Sequence, residues 1–197
     1  PYVPGYTPKI GETPLEPKVP GDPTQGYTPP KPTDPKSNTT VTYEPDPQKA
    51  LVKVVNTTTG VEVRLPAEDV NLEGKTAEKI STEKVLAKIV DLEKRGFVVD
   101  NKDEVVAEIT KSSFDKQKDE EGKDPSQVFT LKIHEKVVTI TEPPSPETPI
   151  DPDTPDDPND PSIPRWTEEL VNQLSLKKDV TRTITYVKKD TPNGEEI

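Results

Sequence analysis

The stretch ALVKVVNTTTGVEVRL, residues 50–65, decides the fold of this chain. It contains two β-branched runs joined by a short polar turn that ends in Gly60, which is the local signature of a β-hairpin. The order of the elements that follow this hairpin sets the fold class.

An amphipathic helix is predicted in STEKVLAKIVDLEKRG, residues 81–96. Its predicted apolar face consists of Val85, Leu86, Ile89, Val90 and Leu92. Ser81 or Thr82 can cap the N-terminus, and Gly96 is suited to the position just past the C-terminus. We expect this helix to cover one face of a sheet.

Three further stretches are β-like, at residues 96–101, 103–110 and 127–141. A charged loop, residues 111–126, separates the last two. In the last stretch three apolar residues alternate with polar ones, and these are Phe129, Leu131 and Ile133. Such alternation predicts a strand with one buried face and one wet face.

The order of hairpin, helix and further strands predicts an α+β fold. One main helix on one face of a mixed sheet of four or five strands is the simplest arrangement, and it is β-grasp-like. This predicted domain occupies residues 48–142. We expect Phe97 and Phe129 in its core.

Proline is concentrated outside that domain. Of the 25 prolines, all but three lie in residues 1–47 or 143–164. The first block carries the tetrapeptide GYTP twice, at residues 5–8 and 26–29. In the second block proline returns at every third residue, which fits the three-residue turn of polyproline II. Both blocks are therefore predicted to be extended linkers, with an acidic spacer at 143–165.

After the spacer, residues 166–197 are predicted to begin a second, truncated β-rich subdomain, with a strand and turn in residues 176–197. The chain starts at a proline and contains no methionine, so we expect it to be a fragment of a longer polypeptide.

Charge excludes some classes of partner. The net charge is −11, and the acids are spread along the chain rather than opposed by a basic face. Nucleic acid and anionic membrane surfaces both require clustered Lys and Arg, so neither is an expected partner. Cysteine is absent, which excludes disulfides and thiolate metal sites.

No residue pattern indicates catalysis. His134 is the only histidine and falls on the predicted wet face of its strand, with no cysteine to pair with. No pair of acids lies in an apolar setting that would separate their pKa values for acid–base work. We therefore expect no enzyme, no catalytic residue, no metal site and no cofactor.

Three sequence features bear on ligand binding. Aligning Gly122 with the invariant glycine of an EF-hand puts Gln117 and Val128 at ligand positions, so that match fails. Trp166, the only tryptophan, can either face a glycan or dock against a following domain, and the second is expected. Asn38 and Asn56 lie in sequons that matter only in a eukaryotic secretory host. Ligand-binding residues stay unassigned.

Three ordered stretches resemble the mucus-binding (MucBP, or MUB) repeats of large cell-wall adhesins from lactobacilli, streptococci and related Gram-positive bacteria. They are QKALVKVVNTTTG at 48–60, KRGFVVDN at 94–101 and QVFTLKIHEKVVTIT at 127–141. A fourth, SLKKDVTRTITYV at 175–187, is similar to the start of the second subdomain of the longer repeats.

The resemblance implies a repeat of an extracellular adhesin, attached to the bacterial cell wall through parts of the parent chain not present here. It implies binding to host mucin glycoproteins or glycans, with neighbouring repeats of the same chain as further partners. Many weak copies on a stalk can attach strongly through effective concentration. The alternative is a non-binding stalk module that projects another adhesive domain.

Overall fold

The computed structural model describes residues 1–29, 31, 34, 36–174 and 182. The chain divides into two compact units, Pro1–Val137 and Val138–Ile197, and each is described by itself. The strand predicted within residues 176–197 lies outside the described residues, of which only Arg182 falls in that range.

The described residues of the first unit form ten strands: β1 Tyr6–Ile10, β2 Thr13–Pro14, β3 Pro17–Val19, β4 Asp22–Tyr27, β5 Thr42–Pro45, β6 Pro47–Asn56, β7 Val63–Arg64, β8 Val70–Lys75, β9 Phe97–Val99 and β10 Gln127–Glu135. The helices are α1 Glu83–Lys94 and α2 Lys102–Lys111 in the first unit, α3 Glu168–Gln173 in the second, and a short 3₁₀ helix at Pro66–Glu68.

The central sheet joins strands that are far apart in the sequence. β6 and β10 run parallel, with Gln127 beside Ala50 and Ile133 beside Asn56. β9 pairs antiparallel with the free edge of β10, while β7 and β8 pair antiparallel with the other edge of β6. With its helices, this unit is mixed α+β, as predicted.

The predicted hairpin is confirmed. β6 and β7 pair antiparallel, with Val55 opposite Arg64. Gly60 in the connecting turn has φ +79°, a left-handed conformation that glycine adopts without a Cβ penalty. β8 was not predicted, yet it pairs with six residues of β6, from Pro47 to Val52.

The core lies between the sheet and both helices of the first unit. The predicted alternation in β10 is confirmed, because Phe129, Leu131 and Ile133 are all buried. The register places Phe129 beside Val52 and Leu131 beside Val54, so the central strands present one apolar face. Phe97 is partly buried and packs against the hydrophobic core, in line with its expected core position.

Residues 103–110 were predicted as a strand, and that prediction is wrong because they lie within α2. Val105 and Ile109 are four residues apart, so a helix turns both into the core, and both are buried. Acidic residues in the first turn and Lys111 in the last also suit the helix dipole. The stretch 127–141 is a strand only as far as Glu135.

Only part of the predicted apolar face of α1 is buried. Val85, Ile89 and Leu92 are buried, whereas Leu86 and Val90 are 46% and 52% exposed. The helix buries the narrow i, i+4, i+7 stripe that meets the sheet. Ser81 accepts the Glu83 amide at 3.3 Å, and Gly96, with φ +88°, ends the helix as predicted.

Residues 1–47 differ from the predicted polyproline linker, because they contain strands β1 to β5. β1 pairs with β2 and β5, and β3 pairs with β4. The first GYTP copy docks on the sheet unit: Gly5 accepts the Asp46 amide at 2.9 Å, and Thr7 donates to the Asp46 carboxylate at 2.5 Å. Pro8 is fully buried. These tertiary contacts outweigh the preference of the prolines for an isolated polyproline II helix.

Candidate functional site

The second unit folds back on itself instead of extending as a rod. The Glu147 amide donates to the Trp166 carbonyl at 2.7 Å, and the Trp166 amide donates to the Thr148 carbonyl at 2.9 Å. The Ile150 amide adds a bond to the Pro164 carbonyl at 2.9 Å. These bonds fold back the segment that was predicted to be an extended spacer at 143–165, so that prediction is wrong for residues 147–165.

Aspartate explains how a proline-rich segment reverses. In three Asp-Pro-x triplets the aspartate accepts a bond from the amide two residues later, each at 3.0 Å, and these begin at Asp151, Asp157 and Asp160. Asp side chains commonly form such turns, and proline sets the φ of the second residue. Proline every third residue predicted a straight rod, while the aspartate before each of these prolines bends the chain.

Arg165 fastens the turns together. Its guanidinium donates to the Glu147 carbonyl at 2.6 Å, to Asp156 Oδ1 at 2.7 Å and to the Asp157 carbonyl at 2.8 Å. Five N–H donors in a rigid plane let one arginine hold several acceptors at once. The backbone on both sides of the fold-back is therefore held by one side chain.

A cavity of about 440 Å³ lies within this fold-back, and we call it the Trp166 pocket. It is lined by Ile140, Pro144, Thr148, Pro149, Ile150, Asp151, Pro152, Thr154, Asp156 and Trp166. Trp166 retains only 8% of its surface exposure. The expectation that it docks against a following domain is not needed to account for its burial, because its own segment covers it.

Beyond the pocket the chain enters α3. Thr167 caps this helix by accepting the Leu170 amide at 3.2 Å, and two glutamates follow in the first turn. This capping pattern is favourable for both the hydrogen bond and the helix dipole. The cap at Thr167 therefore fixes the start of α3 directly after Trp166.

His134 lies on β10 with its side chain 42% exposed, and its Nδ1 is 2.8 Å from Asp100 Oδ1. The strand residue therefore pairs with a surface carboxylate. The contact joins an imidazole and a carboxylate on the surface of the sheet.

The charged loop 111–126 is anchored to the sheet by a cluster of four charged residues. Arg64 donates to both carboxylate oxygens of Asp124, at 2.8 and 3.0 Å, and also to Asp69. Lys53 lies 2.9 Å from Asp124. Hydrogen bonds from Arg64, and then from Lys53, lower the pKa of Asp124 to about 2.

Other acidic side chains of the same loop accept hydrogen bonds from backbone amides within the loop. Asp119 Oδ1 accepts the Ser126 amide at 2.9 Å, and Asp115 accepts the Gln117 amide at 3.1 Å. Within the described residues no group of three or more His, Cys, Asp or Glu is arranged to hold a metal ion.

A second groove, of about 430 Å³, runs between β8 and α1. Two of its lining residues, Lys88 and Asp91, belong to an ion-pair network with Glu68 and Arg95. Glu68 bonds Arg95 at 2.7 and 3.0 Å, and these bonds lower the pKa of Glu68. Because Lys88, Asp91 and Asp69 are already engaged in ion pairs, this groove is a weaker candidate than the Trp166 pocket.

The Trp166 pocket was not predicted from the sequence. Ile150 and Ile163, two aliphatic residues in an otherwise polar segment, were the available signal, since Ile163 is buried and Ile150 lines the pocket. Reading the Asp-Pro-x triplets as turns would have brought them together.

Comparison with protein-family models, with curated proteins and with solved structures finds no match to this chain. Among the described residues, no helix has the length and apolar character that crossing a membrane requires.

Proposed function

We propose that this chain is a repeat unit of a Gram-positive bacterial surface adhesin that binds host mucin glycoproteins. In this proposal the first unit carries a β-grasp-like, MucBP-type domain. The parent protein is extracellular and attached to the cell wall, and neighbouring repeats of the same chain cooperate in attachment.

One observation carries the proposal. The three stretches that resemble mucus-binding repeats are far apart in sequence, yet they contain β9, β10 and all of β6 but its first residue, and these strands are hydrogen-bonded neighbours. Chance similarity in scattered segments gives no reason for them to meet. Their meeting supports a resemblance of the folded unit as well as of the sequence.

The topology supports the β-grasp proposal. An N-terminal strand, β6, lies parallel to the C-terminal strand, β10, with α1 between them in the chain. A parallel pair requires a long crossover connection, and α1 supplies it while covering the sheet. β9 pairs with the free edge of β10, and this pairing supports the proposed β-grasp-like sheet.

A biosensor measurement tests the proposal. Purified mucin is immobilised, and the full chain is applied both as a single copy and multimerised on beads. The proposal predicts saturable binding that strengthens greatly on the beads, because linked weak sites gain effective concentration. Absence of binding in both formats contradicts it.

The second candidate is a structural stalk. Its support is that residues 1–47 are packed: β1 to β5 pair with one another, and Gly5 and Pro8 are buried. A flexible display arm has no need of such packing, whereas a stiff spacer benefits from it. The bead experiment separates the candidates, since a stalk module stays unbound at any multiplicity.

A further inference from the structure

We propose that the Trp166 pocket binds a neutral saccharide and excludes sialylated and sulfated ones. This inference rests on the proposed adhesin function and deepens it by naming a site and a ligand class. It joins three observations, namely the shape of the cavity, its acceptor groups and the charge around it.

The cavity has the size and lining of a small-molecule site. Its volume of about 440 Å³ falls within the range of roughly 300–1,000 Å³ that is typical of ligand pockets. The apolar lining consists of Ile140, Ile150 and proline rings, together with the small part of Trp166 that stays exposed. A pyranose ring has one face made of C–H groups, and such a face gains free energy when it packs on an apolar surface.

Acceptors for sugar hydroxyls lie on the same lining. Asp156 is 55% exposed, and although its Oδ1 accepts from Arg165, a carboxylate has about four acceptor positions. The Thr148 hydroxyl donates to the Ser145 carbonyl at 2.7 Å, which leaves the acceptor capacity of its oxygen for a ligand. Hydroxyl donors of a neutral sugar match this set.

The surrounding charge selects against anions. Residues 138–174 contain nine acidic side chains and one basic side chain, Arg165. Arg165 is already engaged by Asp156 and by two backbone carbonyls. A sialic acid carboxylate or a sulfate at this pocket meets several like charges, and such juxtaposition is costly. The same field imposes no penalty on an uncharged sugar.

The pocket is held in place before any ligand arrives. The backbone bonds of Trp166 to Thr148 and Glu147 and the contacts of Arg165 fix both walls. A preformed site loses less conformational entropy on binding than a flexible one.

The only tryptophan of the chain makes the test specific for this site. The full chain is titrated with N-acetylgalactosamine and methyl-β-galactoside, and with sialyllactose as the anionic comparison. Emission of Trp166 and the single indole N–H resonance are followed together. We expect a saturable change with at least one neutral sugar and none with sialyllactose at low salt.

Two variants provide a matched comparison. Asp156→Asn lies in the pocket and keeps an oxygen for Arg165, and we expect it to weaken binding about fivefold to tenfold, since bonds to charged acceptors are the stronger ones. Asp157→Asn makes the same charge change one residue away, where the side chain only closes a turn by accepting the Asn159 amide. It should leave affinity within about twofold of the parent.

The outcomes separate this inference from the adhesin proposal. Unchanged indole signals with every sugar, in a chain that still binds mucin on beads, overturn the pocket assignment and leave the adhesin function standing. Equal affinity for sialyllactose overturns the charge argument. A response to a proline-rich peptide with none to sugars assigns the pocket to a protein ligand and overturns the inference as well.

Discussion

Gly74 on β8 leaves no room for a side chain. A Cβ built there lies 2.2 Å from Cε2 of Phe114, a buried ring that follows α2. We predict that Gly74→Ala lowers the free energy of unfolding by about 1–3 kcal/mol through overpacking. Urea denaturation of the full chain measures this value.

A double-mutant cycle provides the control. Phe114→Leu removes the ring atoms that meet the new methyl group, so Gly74→Ala should cost less in that background than in the parent. Equal costs in the two backgrounds would show that contact with Phe114 is not the cause.

The Asp124 carboxylate makes loop anchoring sensitive to acid. Its pKa is lowered from 3.8 to about 2 by Arg64 and Lys53. A lowered folded-state pKa gives stability that is fully present above the unfolded value and is lost as pH falls through the folded value. We therefore predict loss of this contribution between pH 3.8 and about 2.

Stability measured against pH checks this effect in two variants. Asp124→Asn should flatten the acid limb of the urea midpoint, whereas Glu121→Gln, an exposed acid of the same loop, should leave it as in the parent. A parent-like acid limb in Asp124→Asn would refute the assignment.

Residue patterns within strands could be read from the sequence, and contacts between elements could not. The alternation in β10 correctly predicted Phe129, Leu131 and Ile133 as buried, because a strand has a strict period of two. Phe114 follows a helix in a polar loop, so no period marked it as core. Arg64 and Asp124 are sixty residues apart, and only the folded chain brings them together.

At the scale of elements, the docking of β1 depends on Gly5. Gly5 and Gly26 open the two GYTP copies with similar positive φ values, +77° and +84°. A Cβ on Gly5 lies 2.8 Å from the Thr76 side chain, whereas a Cβ on Gly26 has nothing within 4 Å. Alanine at either position carries the left-handed strain of about 1–3 kcal/mol, and only Gly5→Ala adds a clash.

We therefore predict that Gly5→Ala is more destabilising than Gly26→Ala and that it releases β1. Hydrogen exchange reads the release directly, because the Asp46 amide is bonded to the Gly5 carbonyl. Faster exchange at Asp46 in Gly5→Ala alone is expected. Equal protection in both variants would mean that β1 docks without this close approach.

α1 offers a comparison along one helix. Ile89 is 5% exposed and Leu86 is 46% exposed, although both belong to the predicted apolar face. We predict that Ile89→Ala costs about 2–5 kcal/mol, while Leu86→Ala costs less than about 1 kcal/mol. Denaturant midpoints of the two variants check this, and similar losses would indicate that Leu86 is covered in solution.

Element type was predictable where one period dominated. α1 has a long amphipathic pattern with a glycine at its end, and the sequence located it well. α2 is short and rich in valine, so β propensity and helical spacing conflicted, and packing of Val105 and Ile109 decided the outcome. β8 contains Gly74 and two charged residues, which hid its strand character.

At the level of the whole molecule, the composition located the two proline-rich blocks correctly. The prediction that both are extended linkers was wrong. Proline content indicates where a helix or central strand is disfavoured, but it does not distinguish an extended rod from a series of turns. In residues 147–166 the aspartates and Arg165 select turns, and in residues 1–47 pairing with neighbouring strands selects a sheet. Both structures depend on contacts between residues, and such contacts cannot be read from composition.

Mucin binding before and after glycan removal tests the proposed adhesin function. The full chain, multimerised on beads, is applied to immobilised mucin and to the same mucin stripped of its glycans. The proposed adhesin function predicts saturable binding that is lost with the glycans, and the pocket assignment adds that Asp156→Asn reduces it. Binding that persists unchanged on stripped mucin, or no binding to either surface, would contradict it.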